Sequence, residues 1–244
     1  LADHVTAKGA SGYAASSVTS DVTLVSDADV TSFAVGNSIA KTVTVTYTAP
    51  AASGTGQNMP FTDVSTGDWY YGSVYGAWKN KLISGASETL YKPNNTLTVA
   101  ETVKLSAALH QLQNNGQVTL TNGTPWYSTY VAYAVEHGII EKEYLDYTPA
   151  QMHAPASRTE FVHIFFGAMN DYEVLNDIAD DQIPDVKMGD KYASEIYTFY
   201  RAGILTGSGS SGVFNPSSTI KRSEAAAILN RMFDASTRKS FTLS

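Results

Sequence analysis

The sequence predicts a mainly α-helical protein built from three helix–loop–helix repeats and preceded by a short β-rich segment. Three observations carry this. A set of short signatures recurs in fixed order. The segments around them carry apolar stripes at helical spacing. The first 58 residues differ in composition from the rest, with 17 Ser/Thr but only six charged residues and no Arg or Trp, so a boundary falls near residue 58.

Within residues 1–58, Lys41–Thr48 alternates with period two, which favours a strand with Val43, Val45 and Tyr47 on one face. Asp21–Val25 and Thr31–Val35 are weaker strand candidates, and Pro50–Gly56 has the composition of a flexible linker. These strands are too few for an independent sandwich. They fit the tail of a larger β-domain, or strands that join a neighbouring copy in a lattice or filament; the alternative is a disordered Ser/Thr-rich leader.

Beyond residue 58 the chain repeats itself. Phe61-Thr62-Asp63-Val64 returns as Ile183-Pro184-Asp185-Val186. Gly67-Asp68-Trp69 returns as Gly189-Asp190-Lys191-Tyr192. Leu82-Ile83-Ser84-Gly85 returns as Ile204-Leu205-Thr206-Gly207, and Tyr91-Lys92-Pro93 as Phe214-Asn215-Pro216. Leu97 to Glu101 returns as Ile220 to Glu224. A degraded copy between them runs from Trp126 through Gly138-Ile139-Ile140 to Ser157-Arg158-Thr159-Glu160. The units are 59–113, 123–171 and 182–235. The first helix of unit one carries the stripe Tyr71, Val74, Tyr75, Trp78; that of unit three carries Ala193, Ile196, Tyr197, Tyr200. The second helices begin at capping boxes, Thr98 with Glu101 and Ser157 with Glu160. Their stripes follow in phase, Phe161, Ile164, Phe165, Ala168 and Ala225, Ile228, Leu229, Met232. Lys221 holds the third cap position, so that cap must come from elsewhere. A helix pair cannot bury such a stripe alone, whereas three stacked pairs can.

Composition excludes several functions. A net charge of −7 argues against nucleic-acid binding, which needs a basic patch. Zero Cys removes thiolate metal sites and thiol nucleophiles. No apolar run is long enough to span a bilayer. The sequence opens Leu1-Ala2-Asp3, without Met or a basic-then-apolar leader, and reads as a mature or trimmed fragment. Gly207-Ser208-Gly209-Ser210-Ser211-Gly212 matches a dinucleotide fingerprint but falls between two helices and leads into Val213-Phe214-Asn215-Pro216, whereas that fingerprint needs a strand before it and a helix after it. The five His are scattered and no nucleophile–base–acid set stands out, so neither a metal, a cofactor nor an enzymatic activity is expected.

The aromatic-x-Asp-Val, Trp, Gly-Ile-Leu-x-Gly, Phe-x-Pro and Ile-x-Arg-x-Glu signatures, taken together over about 59–235, resemble S-layer homology (SLH) modules, which usually occur in threes. The resemblance implies a pseudo-threefold, three-pronged helical assembly whose grooves bind a secondary cell-wall polymer, often through a pyruvylated terminal amino sugar. It implies an extracellular protein held at the cell wall. The chemistry suits an acidic sugar: Arg offers a planar fork to a carboxylate, and a helix N-terminus attracts anions. By resemblance, Arg158 and Arg222 clasp the carboxylate, Trp69, Trp126 and Tyr192 cover the sugar face, Asp63 and Asp185 accept from hydroxyls, and Gly85 and Gly207 let the backbone approach. Val99 stands where the family has Arg, so unit one's groove is expected to bind weakly. Unit two lacks the aromatic-x-Asp start, and unit three has Tyr192 in place of Trp. One or two working grooves are expected. Two other classes compete with a wall-anchoring module: a lattice or filament subunit, and the anchor of a secreted glycan hydrolase whose catalytic domain lies outside these residues.

Overall fold

The computed structural model describes the backbone of Ala14–Ser20 and Val43–Thr48, and residues 59–169 and 171–243. The chain divides into two units, Leu1–Asn58 and Met59–Ser244. In the first, β1 (Ala14–Ser20) pairs antiparallel with β2 (Val43–Thr48) from Ala14↔Thr48 to Ser20↔Val43, with a bulge between Ala15 and Ser17. β2 coincides with the alternating segment. β1 was not foreseen, because Ala-Ala-Ser-Ser-Val-Thr-Ser carries one large apolar residue and no alternation. The candidates at 21–25 and 31–35, the linker at 50–56 and the facing of Val43, Val45 and Tyr47 lie outside what the structure describes.

The second unit is helical. Its helices are α1 (Tyr71–Lys79), α2 (Val99–Asn115), α3 (Ser128–Glu136), the single turn α4 (Pro149–Met152), α5 (Arg158–Phe166), α6 (Ala193–Arg201) and α7 (Arg222–Phe233). The predicted stripes are the buried faces. Ile196, Tyr197, Tyr200, Phe161, Ile164, Phe165, Leu229 and Met232 are all at most 1% exposed, and they join one continuous core. That burial is the main stabilising term, about 1.5–3 kcal/mol for each large side chain. In unit one the stripe is looser, with Val74 and Ala77 sealed while Tyr71, Tyr75 and Trp78 stay half-buried.

The packing is cyclic. α3 packs on α2, α6 on α5, and α1 returns to pack on α7, so each first helix leans on the second helix of the preceding unit. Three extended segments close the ring at its centre. The Leu97 N–H donates to the Ile220 carbonyl at 3.1 Å, the Ile220 N–H to the Ala156 carbonyl at 3.4 Å, and the Ala156 N–H to the Leu97 carbonyl at 2.9 Å. The next residues repeat the pattern. The N–H groups of Val99, Arg158 and Arg222 donate to the carbonyls of Ala154, Ser218 and Asn95 at 3.0, 2.8 and 2.8 Å. A free N–H at a helix start is thus satisfied by the loop of a neighbouring unit.

Those contacts also answer the Lys221 cap. A lysine ammonium has no lone pair to accept with. Its backbone N–H instead donates to Glu224 at 2.9 Å, while Asn95 and Pro93 carbonyls take the N–H groups of Arg222 and Ser223. The Thr98–Glu101 box is complete, and Ser157 accepts from the Glu160 N–H at 3.1 Å. The Gly207–Gly212 run is a tight reversal: Ser208 bridges Val213, and Gly207, Gly209 and Gly212 have φ of 68°, 67° and 69°. Left-handed backbone at three places accounts for three glycines. No helix among the described residues is long and apolar enough to cross a membrane.

Candidate functional site: a cleft shared by three units

Arg222 is the first residue of α7, so its side chain leaves the helix at the ring's centre and crosses to the loops of unit one. Its Nε donates to the Tyr91 carbonyl at 2.8 Å and one Nη to the Ser84 carbonyl at 3.0 Å. The guanidinium lies over the Tyr91 ring, 4.7 Å from its centroid. The remaining Nη is 3.7 Å from Glu101, beyond hydrogen-bond reach. The fork is therefore aimed and held, yet it keeps uncommitted donors.

Those donors face a cleft of about 420 Å³. Unit one supplies Ser84, Gly85, Tyr91 and Glu101, unit two supplies Trp126, and unit three supplies Arg222. Gly85 shapes one wall. A Cβ there would stand 2.6 Å from the Phe61 ring and collide with the Ser87 carbonyl. Trp126 is half-buried, with its edge against Tyr127, and Lys104 hangs over its ring at 5.7 Å. Arg222, Lys104 and Lys92 set three positive charges against one Glu101 in the lining. Among the described residues neither lysine takes part in an ion pair. In a chain of net charge −7 this is a local field that attracts anions.

Asp63 works on a loop that lines this cleft. Expected to accept from sugar hydroxyls, it accepts in the structure from the N–H groups of Tyr91 and Lys92 at 2.8 and 2.7 Å. Asp185 does the same for Phe214 and Asn215 at 2.8 and 2.6 Å. Both carboxylates clamp a loop in which Lys92 or Asn215 has positive φ, and charge-assisted bonds hold that strained turn.

Arg158 repeats the posture of Arg222 one unit earlier. Its Nε donates to the Phe214 carbonyl at 2.7 Å, and its guanidinium lies 5.3 Å over the Phe214 ring. Here the carboxylate is engaged: Nη1 bonds Glu224 at 2.8 Å, with the arginine side chain 10% exposed. Gly207 lies in the same loop region, with the Tyr200 hydroxyl 2.6 Å from where a Cβ would sit. Trp69, 68% exposed, precedes α1 and rests its edge on Tyr70. Neither Trp69, Gly207 nor Arg158 reaches the Arg222 cleft.

The expectation for Val99 needs correcting. Unit one's loops do not lack a guanidinium, because the residue at this position always serves a neighbouring unit's loops. Unit three serves unit one, and unit two serves unit three. Val99, 2% exposed, faces unit two through its bond to Ala154. Unit two's loops therefore frame a different cleft, of about 500 Å³, lined by Glu141, Glu143, Glu160, Tyr144, Tyr147 and Tyr192, with Lys191. Burial raises the Glu160 carboxyl above its ordinary value. One face of the Tyr192 ring stacks on His163 at 3.7 Å with a 5° interplanar angle. Among the described residues no group of His, Asp and Glu is arranged to hold a metal ion.

The structure thus brings three of the predicted residues, Arg222, Gly85 and Trp126, into one cleft. Sequence reasoning missed Lys104. A signal existed: in Val99–Asn115 only Glu101 and Lys104 carry full charges, and i, i+3 spacing puts them on one face.

Comparison with known proteins adds three findings. The S-layer homology domain matches residues 60–102 and 182–226. Exoglucanase XynX of Acetivibrio thermocellus is 25% identical over 189 residues, 74% of this chain and 17% of its own length. The amylopullulanase of Thermoanaerobacterium thermosulfurigenes is 27% identical over 164 residues, 64% of this chain and 8% of its own. The chain spans under a fifth of either relative. Each matched S-layer homology segment runs from a loop-clamping Asp to a helix-capping Glu, and so contains the loop and helix start described above.

Proposed function

We propose that this protein attaches non-covalently to a secondary cell-wall polymer by clasping an acidic sugar terminus, of the pyruvylated kind, in the Arg222 cleft. The observation that carries the reading is the fork itself: a guanidinium held over an aromatic ring, with donors to spare, beside Trp126 and two lysines that take part in no ion pair among the described residues. A planar guanidinium matches a carboxylate in two points, and the indole face suits the apolar face of a sugar ring. The S-layer homology matches support attachment at the cell surface. Residues 123–171 act in this reading as a third, diverged module: Ala156, Ser157 and Arg158 take the same places in the ring as Leu97 and Ile220 with their successors. Residues 1–58 then serve as a separate β-rich element. The groove of unit two, with Val99 in place of Arg, is acidic and takes no part in anion binding.

The chain itself acts as a binding module and not as an enzyme. Both relatives are named as glycan-acting enzymes and match over a small share of their length, which favours this module as the anchor of such an enzyme where one is fused to it.

Calorimetry with a pyruvylated disaccharide tests the proposal. Wild type binds it, and Arg222→Ala weakens binding by roughly 1.5–3 kcal/mol, the worth of one charge-assisted hydrogen bond. Equal affinity for the same disaccharide stripped of its pyruvate would overturn the carboxylate–Arg222 assignment.

A further inference from the structure

The Arg222 cleft does not end at Gly85. A second chamber of about 600 Å³ lies on the other side and shares Ile83, Ser84, Gly85, Lys104 and Leu105 with the first. Its character differs. The first chamber gathers cations; the second is walled by Phe61, Trp78, Leu82, Leu120 and Tyr130, with Val118 beside them. Its rim is polar and exposed, with Ser84, Ser87, Lys81 and Glu88. Trp78 is the half-buried platform of this chamber. Its ring meets Phe61 edge-on at 6.4 Å and Tyr75 at 6.1 Å, so its orientation is fixed before any ligand arrives.

An aromatic floor inside a rim of hydroxyls, a carboxylate and an ammonium is the chemistry that holds a sugar ring. The apolar face lies on the indole and the hydroxyls find partners around it. Each chamber has the volume of an ordinary small-molecule pocket. Gly85 lines both chambers without a side chain, and its neighbours, Phe61 and the Ser87 carbonyl, leave no room for one. Lys104 lines both chambers, and among the described residues it takes part in no ion pair.

We infer that the two chambers form one trough for a run of glycan. The acidic terminal residue sits at Arg222, the chain crosses the Gly85 sill beneath Lys104, and a neutral sugar further along the same chain rests on Trp78. This rests on the proposed function and extends it from the end group of the polymer to its internal residues. The polymer is then read for length as well as for charge, and an isolated acidic sugar engages only half of the surface available.

Calorimetry with two probes decides it: a pyruvylated disaccharide and a pyruvylated tetrasaccharide of the same repeat. Wild type binds the tetrasaccharide at least about tenfold more tightly. Val118→Trp, which fills the second chamber from a half-buried loop position, leaves the disaccharide affinity unchanged and reduces the length-dependent gain to under about twofold. Trp78→Leu, checked by its melting curve, removes the same gain by taking away the platform. Equal affinities of the two probes for wild type overturn the trough while leaving the Arg222 cleft standing. A gain that survives both substitutions also overturns it. Failure of wild type to bind even the disaccharide removes the cleft, and the trough with it.

Discussion

Arg158 and Arg222 occupy one position in two repeats, each the first residue of a helix, yet they meet their carboxylates differently. Arg222 stands 3.7 Å from Glu101 and keeps donors for a ligand; Arg158 is locked to Glu224 at 2.8 Å. The two substitutions should therefore part company. Arg158→Ala strips a nearly buried fork from the Phe214 carbonyl and leaves Glu224 half-covered without its cation, so it should destabilise the fold by about 2–4 kcal/mol. Denaturant melts should show this while disaccharide affinity stays near wild type. Loss of binding with unchanged stability would reverse the roles assigned here. Sequence alone made the two arginines equals, because residue type and spacing are the same in both. What separates them is about an ångström in the distance to one glutamate, which no motif encodes. The aspartates teach a related lesson: Asp63 and Asp185 were recognisable as repeated, but not as loop clamps, since their partners are backbone N–H groups almost 30 residues away.

At the level of elements, α5 and α6 meet across a buried histidine. His163 has an 8% exposed side chain, and both ring nitrogens contact carboxylates: Nε2 to Glu141 at 2.9 Å and Nδ1 to Glu195 at 3.1 Å. A neutral imidazole has one N–H and would set a lone pair against one of these oxygens; the imidazolium satisfies both. Burial alone lowers its pKa, but the hydrogen bonds to Glu195 and Glu141 overcome this and raise it. For Glu141, burial acts upward most strongly, but the bond to His163, a backbone hydrogen bond and the nearby His163 and Lys191 charges together lower the value. The signs then follow from linkage. The histidine's contribution is complete below its ordinary value of 6.5 and fades as pH climbs through the raised folded value. The Glu141 contribution is complete above the ordinary carboxylate value and fades as pH falls through the lowered one. Stability from this seam should peak between those limits. Melting temperature should decline as pH rises above about 6.5, and His163→Gln should flatten that decline; parallel curves for the two proteins would refute the seam's role. The helices themselves were legible, since stripes and caps are local properties. The seam was not, since Glu141 and His163 are distant in sequence from Glu195 and only the cyclic packing brings them together.

For the helical unit as a whole, the mainly helical fold class could be read from the sequence because helix pairs with apolar stripes have few ways to hide them. The handing-on of each unit's first helical residue to another unit's loops could not, because a repeat contains no record of which neighbour it faces. That arrangement makes the units unequal. The Arg222 cleft is cationic, the cleft framed by unit two is acidic, and Arg158 is already paired with Glu224. An acidic glycan should therefore bind with a stoichiometry of about one per chain, measured by calorimetry, and with affinity that falls as salt screens the exposed lysines. Two or three equivalent sites would contradict the inequality.

The ring has one more consequence. Arg222 and Ser84, which meet through a single hydrogen bond, are 138 residues apart along the chain. Within the helical unit the cleft can therefore be finished only after the third repeat has been made. Its mouth exists only once the closing repeat has swung back onto the opening one. A protease nick that freed residues 182–244 would leave every unit-one residue of the cleft in place and still disarm it. Grip on the wall would thus report that the entire helical body is intact.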